Sequence, residues 1–345
     1  MNLTLERQNL TCNYKAGSLE KSVLPVLYSC IVCIGSPANC LALLIFTRQS
    51  VKKHGILVYL VNLSVADLIN CLVLPFRIVL LIRGDVLAEN SGTCMVVTAI
   101  INLGFYSTLA CRTLCIILIS IGRYVMIVKH HSNKLSAFND ATYAKYACVV
   151  SWTLGILIVS IPLIHMLKQM STSEFMCYSV KVYKGTQGTS ILFVFISTVF
   201  FIFLMIFIVF YIFIIMHLIK VSRSSTVQQN QGLHIRTQFI IFAAVATFIA
   251  CHLPYYSYQI TSSIYRITHN DCQHLEQLQK AKVVLLWLVS FNSCLDPILY
   301  YIIPKRSSRV RFNTEQQSIT EKSPEMEAAS YRKNFVIHGN IYQNT

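Results

Sequence analysis

Two arginines lie in a mostly apolar run, FYSTLACRTLCIILISIGRYV, at residues 105–125. Arg123 is near one end of this run, where a long side chain can reach water. Arg112 lies eleven residues earlier, about 16 Å deeper along a helix. A charged side chain at that depth costs several kcal/mol unless it faces a partner or a wet cavity. The sequence therefore raises the question of which group holds Arg112.

The composition indicates a membrane protein. Hydrophobic residues make up 54% of the 345 residues and charged residues 12%, whereas a soluble domain carries about twice that charged fraction. The apolar residues come in blocks long enough for a helix to cross the hydrocarbon layer. We predict an all-α membrane protein with seven spans, at about 24–47, 56–82, 95–127, 143–166, 187–219, 235–263 and 280–303.

The ends of the chain indicate its orientation in the membrane. The first 22 residues are polar and contain no apolar core of a signal peptide. Glycosylation sequons at Asn2 and Asn9 favour an outside N-terminus, and the basic residues of the tail favour a cytoplasmic C-terminus. We expect an extracellular N-terminus at 1–22, a seven-helix domain at 23–303, and a disordered cytoplasmic tail at 304–345.

The net charge of +15 does not indicate a nucleic-acid-binding protein. The basic residues are scattered over both sides of the membrane and form no single-faced stripe, so we exclude nucleic acid as a partner. A basic rim beside the anionic lipid of the bilayer explains the charge. No HExxH motif or phosphate-binding loop occurs, so we expect no metal, no cofactor and no enzyme activity.

The thirteen cysteines fall into two groups. Nine lie within apolar spans and are expected to be packing residues. The other four, Cys12, Cys94, Cys177 and Cys272, lie in segments predicted to face outside. An even number in an oxidising compartment predicts two disulfides, although the sequence alone allows three pairings.

Each predicted span carries one marker of a known family. In chain order the markers are Asn39 in GSPAN, Asp67 in NLSVADL, Arg123 in GRY, Trp152, Tyr211, Pro254 in FIACHLPYY, and Asp296, Pro297 and Tyr300 in NSCLDPILY. Together they resemble the rhodopsin-like (class A) G-protein-coupled receptors along residues 23–303. LPFRI at 74–78 and the acid at Asp296 resemble the nucleotide- and lipid-receptor branch, and especially its orphan members, whose ligands are not established.

The resemblance implies a multi-pass receptor of the plasma membrane that acts on heterotrimeric G proteins, with arrestins and receptor kinases as further partners. It implies a Cys94–Cys177 disulfide and, in this branch, a second between Cys12 and Cys272. It also assigns activation and G-protein coupling to Arg123, Tyr124, Tyr211, His252, Pro254, Pro297 and Tyr300.

The position of Arg112 gives it a role within this resemblance. The family usually has a small polar residue there, which helps to coordinate a sodium ion. Here the cation would be a guanidinium between Asp67 and Asp296, held by bidentate bonds, with Asn292 and Ser293 nearby. The alternative is that the interval from Cys94 to Arg123, about four residues longer than usual, reflects an insertion that turns Arg112 elsewhere.

The resemblance also places a ligand pocket in the outer half of the bundle. Its residues would be Arg77, Phe105, Tyr106, Tyr256, Gln259, Lys280, Lys282 and Leu286. Basic side chains outnumber acidic ones around the outer opening of this pocket, which indicates an anionic ligand such as a lipid acid or nucleotide. The alternative for Arg77 is that it extends to the lipid headgroups.

The sequence departs from the family pattern at several positions. Gly122 replaces the acid that normally precedes Arg123, His252 replaces an aromatic residue, and Phe203 stands at the usual proline of the fifth helix. The changes at Gly122 and His252 keep open a constitutively active or ligand-independent receptor-like partner. A transporter would predict an internal repeat, which the sequence lacks.

The third inner loop is expected at 221–236.

Overall fold

Seven α-helices account for nearly all of the described chain. The structure is a computed structural model and describes residues 17–48, 55–87, 91–128, 140–172, 187–223, 228–269, 271 and 273–297. The helices are α1 (Leu24–Arg48), α2 (Gly55–Leu87), α3 (Ser91–Val128), α4 (Ala141–Thr172), α5 (Gln187–Arg223), α6 (Gln228–Thr268) and α7 (273–297). A π-helical turn, Leu19–Val23, leads directly into α1.

Five of the described helices are long and apolar enough to cross a bilayer. Their apolar stretches are Leu19–Arg48, Gly55–Gly84, Gly92–Gly122, Ala141–Ile164 and Ser190–Met216. The other two helices, α6 and α7, contain more polar residues, and several of these are buried, including His252, Ser290 and Asn292. Polar side chains in a spanning helix are tolerated where they face the interior of the bundle.

The centre of the bundle is formed by α2 and α3. The helix α2 packs against α1, α3 and α4, and α3 packs against α2, α4 and α5, while α5 also packs against α6. The helix α7 lies against α1. The Asn39 side-chain amide of α1 donates a hydrogen bond of 2.8 Å to the Ser293 carbonyl oxygen of α7. Tyr28, Leu74 and Cys294 belong to the apolar core that α1, α2 and α7 share.

Two glycines allow the helices around α3 to approach closely. A Cβ atom at Gly155 on α4 would lie 3.2 Å from the Ser107 carbonyl oxygen and 3.3 Å from the Ala110 Cβ of α3. A Cβ atom at Gly104 on α3 would collide with Val73 on α2. Small residues at such crossings let backbones pack tightly in membranes, and here they fix α3 between α2 and α4.

The outward faces of the helices are strongly apolar. Leu72 on α2, Ile161 on α4 and Phe195 on α5 are 69%, 69% and 63% exposed. Lipid tails are as apolar as these side chains, so such faces are stable in a bilayer. The polar residues of the bundle are therefore concentrated inside it.

Several helices extend beyond the predicted spans, most of all at the starts of α6 and α7. The predicted third inner loop at 221–236 is wrong, because α5 continues to Arg223 and α6 begins at Gln228. Glutamine, leucine and arginine in this stretch favour helix, which lets the two helices extend beyond the apolar layer. The helix α7 begins at 273 instead of 280, because the Asp271 carboxylate accepts from the Gln273 N–H at 3.1 Å and so caps the helix.

Candidate functional site

The Arg112 side chain points into the interior of the bundle. Its exposed fraction is 2%, and Nη2 lies 2.8 Å from Oδ1 of Asp67 on α2. The same nitrogen donates a hydrogen bond of 2.9 Å to the Ser293 hydroxyl on α7. Arg112 thus connects three helices at a depth where water is scarce, and Asp67 is the acid that faces it.

The long interval between Cys94 and Arg123 does not turn Arg112 away from this site. Both residues lie on α3, which is helical throughout from Ser91 to Val128. Four additional residues amount to about one helical turn, so such an insertion leaves the direction of the side chains beyond it nearly unchanged. The structure accordingly places Arg112 on the inner side of α3.

The geometry of the ion pair differs from the predicted bidentate arrangement. Although Nη2 and Oδ1 are 2.8 Å apart, neither Asp67 oxygen accepts a well-angled hydrogen bond within the described chain. The N–H bond is directed at Ser293 instead, since Nη2 is shared between the carboxylate and the hydroxyl. The pair is therefore a close charge contact through one nitrogen.

Asp296 does not take part in the ion pair, which corrects the prediction of an arginine between two carboxylates. Among the described residues no cation lies within 4.0 Å of it, although its exposed fraction is only 1%. Its Oδ2 accepts from the Asn292 amide, one helical turn earlier, at 2.9 Å. The Ser293 hydroxyl is the second partner of Arg112 instead of the second carboxylate.

Ser293 is the junction of the polar cluster. Its hydroxyl accepts from the Asn70 amide at 3.0 Å as well as from Arg112, and its carbonyl accepts from Asn39. Four helices, α1, α2, α3 and α7, therefore meet at one residue. Asn70 was not predicted, although it lies three residues after Asp67, the spacing that places two side chains on one helix face.

Several atoms of this cluster have no hydrogen-bond partner among the described residues. They include Nε and Nη1 of Arg112 and Oδ1 of Asp296, and Nε2 of His252 on α6 is likewise without a partner. His252 is fully buried, and its Nδ1 lies 2.8 Å from the Phe248 carbonyl oxygen. A buried polar group without a hydrogen-bond partner destabilises the folded protein, so the side-chain contacts of this cluster can rearrange.

A second group of predicted residues lies in the outer half of the bundle. Arg77 is buried, with its guanidinium carbon 4.6 Å from the Phe105 ring centroid and 6.0 Å from that of Tyr28. It therefore does not extend to the lipid headgroups. Its Nη1 has no hydrogen-bond partner within the described residues, which leaves one donor of a buried cation free.

Most of the remaining predicted pocket residues lie inside the bundle, and one does not. Tyr256, Gln259 and Leu286 are buried, whereas Tyr106 and Lys282 are half-buried. The positive charges of Lys282, Arg77 and Arg266 all act on the Tyr106 hydroxyl. Lys280 is exposed and pairs with Glu276 at 2.9 Å, so its place at the pocket stays a prediction.

The residues predicted at the inner end are only partly described. The Tyr124 ring stacks on Phe210 of α5 with centroids 4.9 Å apart. Gly122 is buried, and among the described residues an added Cβ would meet the Ile56 side chain at 3.7 Å. Pro254 is within α6 and Pro297 is buried at the end of α7. The Arg123 and Tyr211 side chains and the whole of Tyr300 lie outside the described set.

The cysteines divide as the sequence indicated. The nine in the helices, from Cys30 to Cys294, are free thiols, and Cys94 is disulfide-bonded. Its predicted partner Cys177, the pair Cys12 and Cys272, and the sequon residues Asn2 and Asn9 lie outside the described residues. These pairings and the glycosylation stay predictions.

A bundle of seven helices with a buried polar cluster among α1, α2, α3 and α7 defines a seven-helix membrane receptor. Residues 38–300 match the model of the family "7 transmembrane receptor (rhodopsin family)", and the chain belongs to this family. It is a multi-pass cell-surface receptor of the plasma membrane, with an extracellular N-terminus and a cytoplasmic C-terminus. Membership in this family of non-enzymatic receptors excludes the transporter interpretation.

Several curated proteins are similar over most of their length. The chain is 27% identical over 294 residues to "Probable G-protein coupled receptor 34" of Mus musculus, covering 85% of this chain and 76% of the relative. It is 25% identical over 323 residues to "Probable G-protein coupled receptor 82" of Homo sapiens, covering 88% and 95%. It is 26% identical over 303 residues to "G-protein coupled receptor 183-B" of Danio rerio, covering 85% and 80%.

Proposed function

We propose that this receptor carries an extracellular signal to heterotrimeric G proteins and that its ligand is an anion, either a lipid acid or a nucleotide. Arrestin and receptor kinases then act at its cytoplasmic side. The proposal includes an extracellular segment at 1–22 with glycans on Asn2 and Asn9, a receptor domain at 23–303, and a regulatory tail at 304–345. It also includes the disulfides Cys94–Cys177 and Cys12–Cys272.

The observation that supports an anionic ligand is the environment of Arg77. A guanidinium packed on the Phe105 ring keeps its charge, because a cation over an aromatic face is attracted without being neutralised. No acid pairs with Arg77 among the described residues, and its Nη1 donor is free. A carboxylate or phosphate of a ligand would satisfy that donor with a charge-assisted hydrogen bond.

The polar cluster supplies the inner part of the proposed mechanism. Arg112 acts there as a cation that cannot dissociate, in place of the sodium ion of similar receptors. Because Arg112, Asp67 and Ser293 belong to three different helices, a relative movement of α2, α3 and α7 must change their contacts. Ligand binding in the outer half would be transmitted through these contacts to the G-protein side.

Nucleotide exchange on G proteins tests the proposal. Purified receptor in lipid nanodiscs is mixed with a panel of heterotrimeric G proteins and with a fatty acid, a lysophospholipid or a nucleoside diphosphate. We expect one class of anion to stimulate exchange. Arg77→Gln should then raise the required ligand concentration by about 10- to 100-fold, the loss of one charge-assisted hydrogen bond of about 1.5–3 kcal/mol.

Lys280→Gln is the matched control, because it removes a base whose side chain is exposed and paired with Glu276. It should leave the ligand concentration unchanged. Equal effects of Arg77→Gln and Lys280→Gln would contradict the placement of the anion at Arg77. Absence of exchange with every G protein, with and without ligand, would contradict coupling itself.

A second candidate function is ligand-independent signalling. It is favoured by Gly122, which cannot restrain Arg123 as the usual acid does, although the site has room for a side chain. A receptor of this kind would stimulate exchange fully without ligand, and Arg77→Gln would not alter it. Measuring exchange by the ligand-free receptor distinguishes this candidate from the first.

A further inference from the structure

Two histidine rings contact one tyrosine ring where α6 and α7 meet at the extracellular side. The Tyr265 ring on α6 stacks on the His269 ring, with centroids 4.7 Å apart and planes 8° apart. The His274 ring, in the first turn of α7, has its centroid 4.3 Å from that of Tyr265, at 36°. Tyr265 is half-buried, whereas both histidines are exposed. This histidine cluster, Tyr265, His269 and His274, therefore joins the outer ends of two helices and is open to the extracellular solution.

The charge of the histidine cluster depends on pH. Histidine is the side chain that ordinarily gains its charge between about pH 5 and 8. A neutral histidine on a tyrosine ring makes an aromatic contact, whereas a cation within about 6 Å of the centroid is also attracted by the aromatic face. Both histidine rings lie within that distance of the Tyr265 ring. Acid should therefore strengthen these contacts.

His269 is better placed than His274 to hold the added proton. It follows the last residue of α6, and its backbone N–H donates to the Tyr265 carbonyl oxygen at 2.8 Å. Its Nδ1 lies 2.6 Å from the Thr268 hydroxyl oxygen, and that hydroxyl donates to the Ile264 carbonyl oxygen at 3.0 Å. A protonated ring donates from Nδ1 to the Thr268 oxygen, so both bonds form together. The helix dipole favours a cation at this end of α6 and opposes one at His274, in the first turn of α7.

The charged neighbours do not decide the charge of the cluster. Those within six residues of it on α6, on α7 and between them are Arg266, Asp271, Glu276 and Lys280. Glu276 and Lys280 pair with each other at 2.9 Å. The Asp271 carboxylate, which accepts from the Gln273 N–H, favours a histidine cation, and Arg266 opposes one. Because these two effects have opposite signs, the ring contacts and the helix end determine where the proton binds.

We infer that the histidine cluster is a proton-binding site and that the receptor senses extracellular acidity through it. In mildly acid solution a proton on His269 holds the Tyr265 ring in place, and this ring holds His274, so the outer ends of α6 and α7 are tied together. As pH rises through the histidine range the proton leaves and the tie weakens. Both helices also carry residues of the proposed ligand pocket, so acidity controls how readily the outer end of this pocket opens.

Thermal unfolding of the purified full-length receptor in nanodiscs, at about pH 5.5 and about pH 7.5, tests the site. Tyr265→Leu removes the aromatic face and leaves both histidines. We expect it to lower Tm by roughly 1–3 °C more at the acid pH than at the neutral pH. In a His269→Gln background this difference should largely disappear, because the principal cation is absent. Comparing variants at the same pH cancels the titration of groups elsewhere in the chain.

Hydrogen–deuterium exchange of the amides at 260–269 measures the opening of this end of α6. After correction for the chemical exchange rate, these amides should open about 2- to 5-fold less often at the acid pH in the parent, but not in His269→Gln.

Thr261→Ala is the matched control, because Thr261 is exposed on α6 and its hydroxyl donates within the helix, to the Ser257 carbonyl oxygen. Its effect on Tm should not change with pH. A cost of Tyr265→Leu that is equal at both pH values would overturn the inference, as would amide opening with the same pH dependence in the parent and in His269→Gln. Neither measurement requires a ligand or a G protein, so its outcome is independent of the proposed function.

Discussion

Replacing Arg112 with serine tests what the guanidinium does in the core. The substitution leaves the Asp67 carboxylate, which is 1% exposed, without its cation. It also removes the N–H group that donates a hydrogen bond to the Ser293 hydroxyl. Breaking a buried ion pair in this way costs about 3–5 kcal/mol. Asp296 has no cation within 4.0 Å among the described residues, but the Arg112 charge also acts on its carboxylate.

The loss should be visible as a lower melting temperature and should depend on the salt. At about 2–4 °C per kcal/mol, Arg112→Ser should melt on the order of 10 °C below the parent in potassium buffer. The variant also restores the small polar side chain that similar receptors place beside sodium. Sodium at a concentration of 100 times its Kd would return about 2.7 kcal/mol, so sodium buffer should recover much of the loss.

The assay is thermal unfolding of purified receptor in sodium chloride and in potassium chloride at equal ionic strength. The parent should melt alike in both salts, because its cation is covalently attached. Lys280→Ser is the control, since it removes an exposed base whose surface pair contributes little. Arg112→Ser melting like the parent in both salts would refute the reasoning, because a guanidinium that holds a buried carboxylate cannot be removed without cost.

Three further predictions concern other parts of the account. Asp67→Asn should lower the melting temperature more than Asp296→Asn, because Asp67 is the acid within 4.0 Å of Arg112 among the described residues; equal shifts would show that both acids share the cation. Gly122→Asp should lower ligand-free nucleotide exchange at matched surface expression, because a Cβ atom there makes an ordinary contact with Ile56 among the described residues and the new carboxylate can hold Arg123; unchanged or higher exchange would count against this switch. Mass spectrometry of non-reduced peptides should find Cys94 linked to Cys177, and a free thiol at either would be inconsistent with the proposed outer disulfide.

Much of the fold could be predicted because it follows from apolar blocks and helical spacing. The seven spans appear in the sequence as runs of apolar residues. That Arg112 needs a buried acid follows from the cost of an unpaired charge at that depth. The family resemblance named Asp67 and Asp296 as its partners, and the structure pairs it with Asp67.

The rest depended on geometry that one sequence does not contain. Asp296 is not paired with Arg112. The Asp296 carboxylate accepts from Asn292, and the Ser293 hydroxyl accepts from Arg112 instead. Side-chain packing decides this arrangement. The surface pair between Lys280 and Glu276, one turn earlier on α7, also depends on side-chain conformations that the sequence does not show. That α6 begins at Gln228 could not be seen from hydropathy, since polar residues are equally compatible with a loop.

An experimental structure of the receptor in a lipid nanodisc, at a resolution that shows ions and waters, tests the central claim most directly. We expect the Arg112 guanidinium inside the bundle with Nη2 near 2.8 Å from the Asp67 carboxylate, and no separate metal ion beside that acid. A map in which the Arg112 side chain points away from Asp67, or in which a sodium ion occupies the position of the guanidinium, would contradict the account.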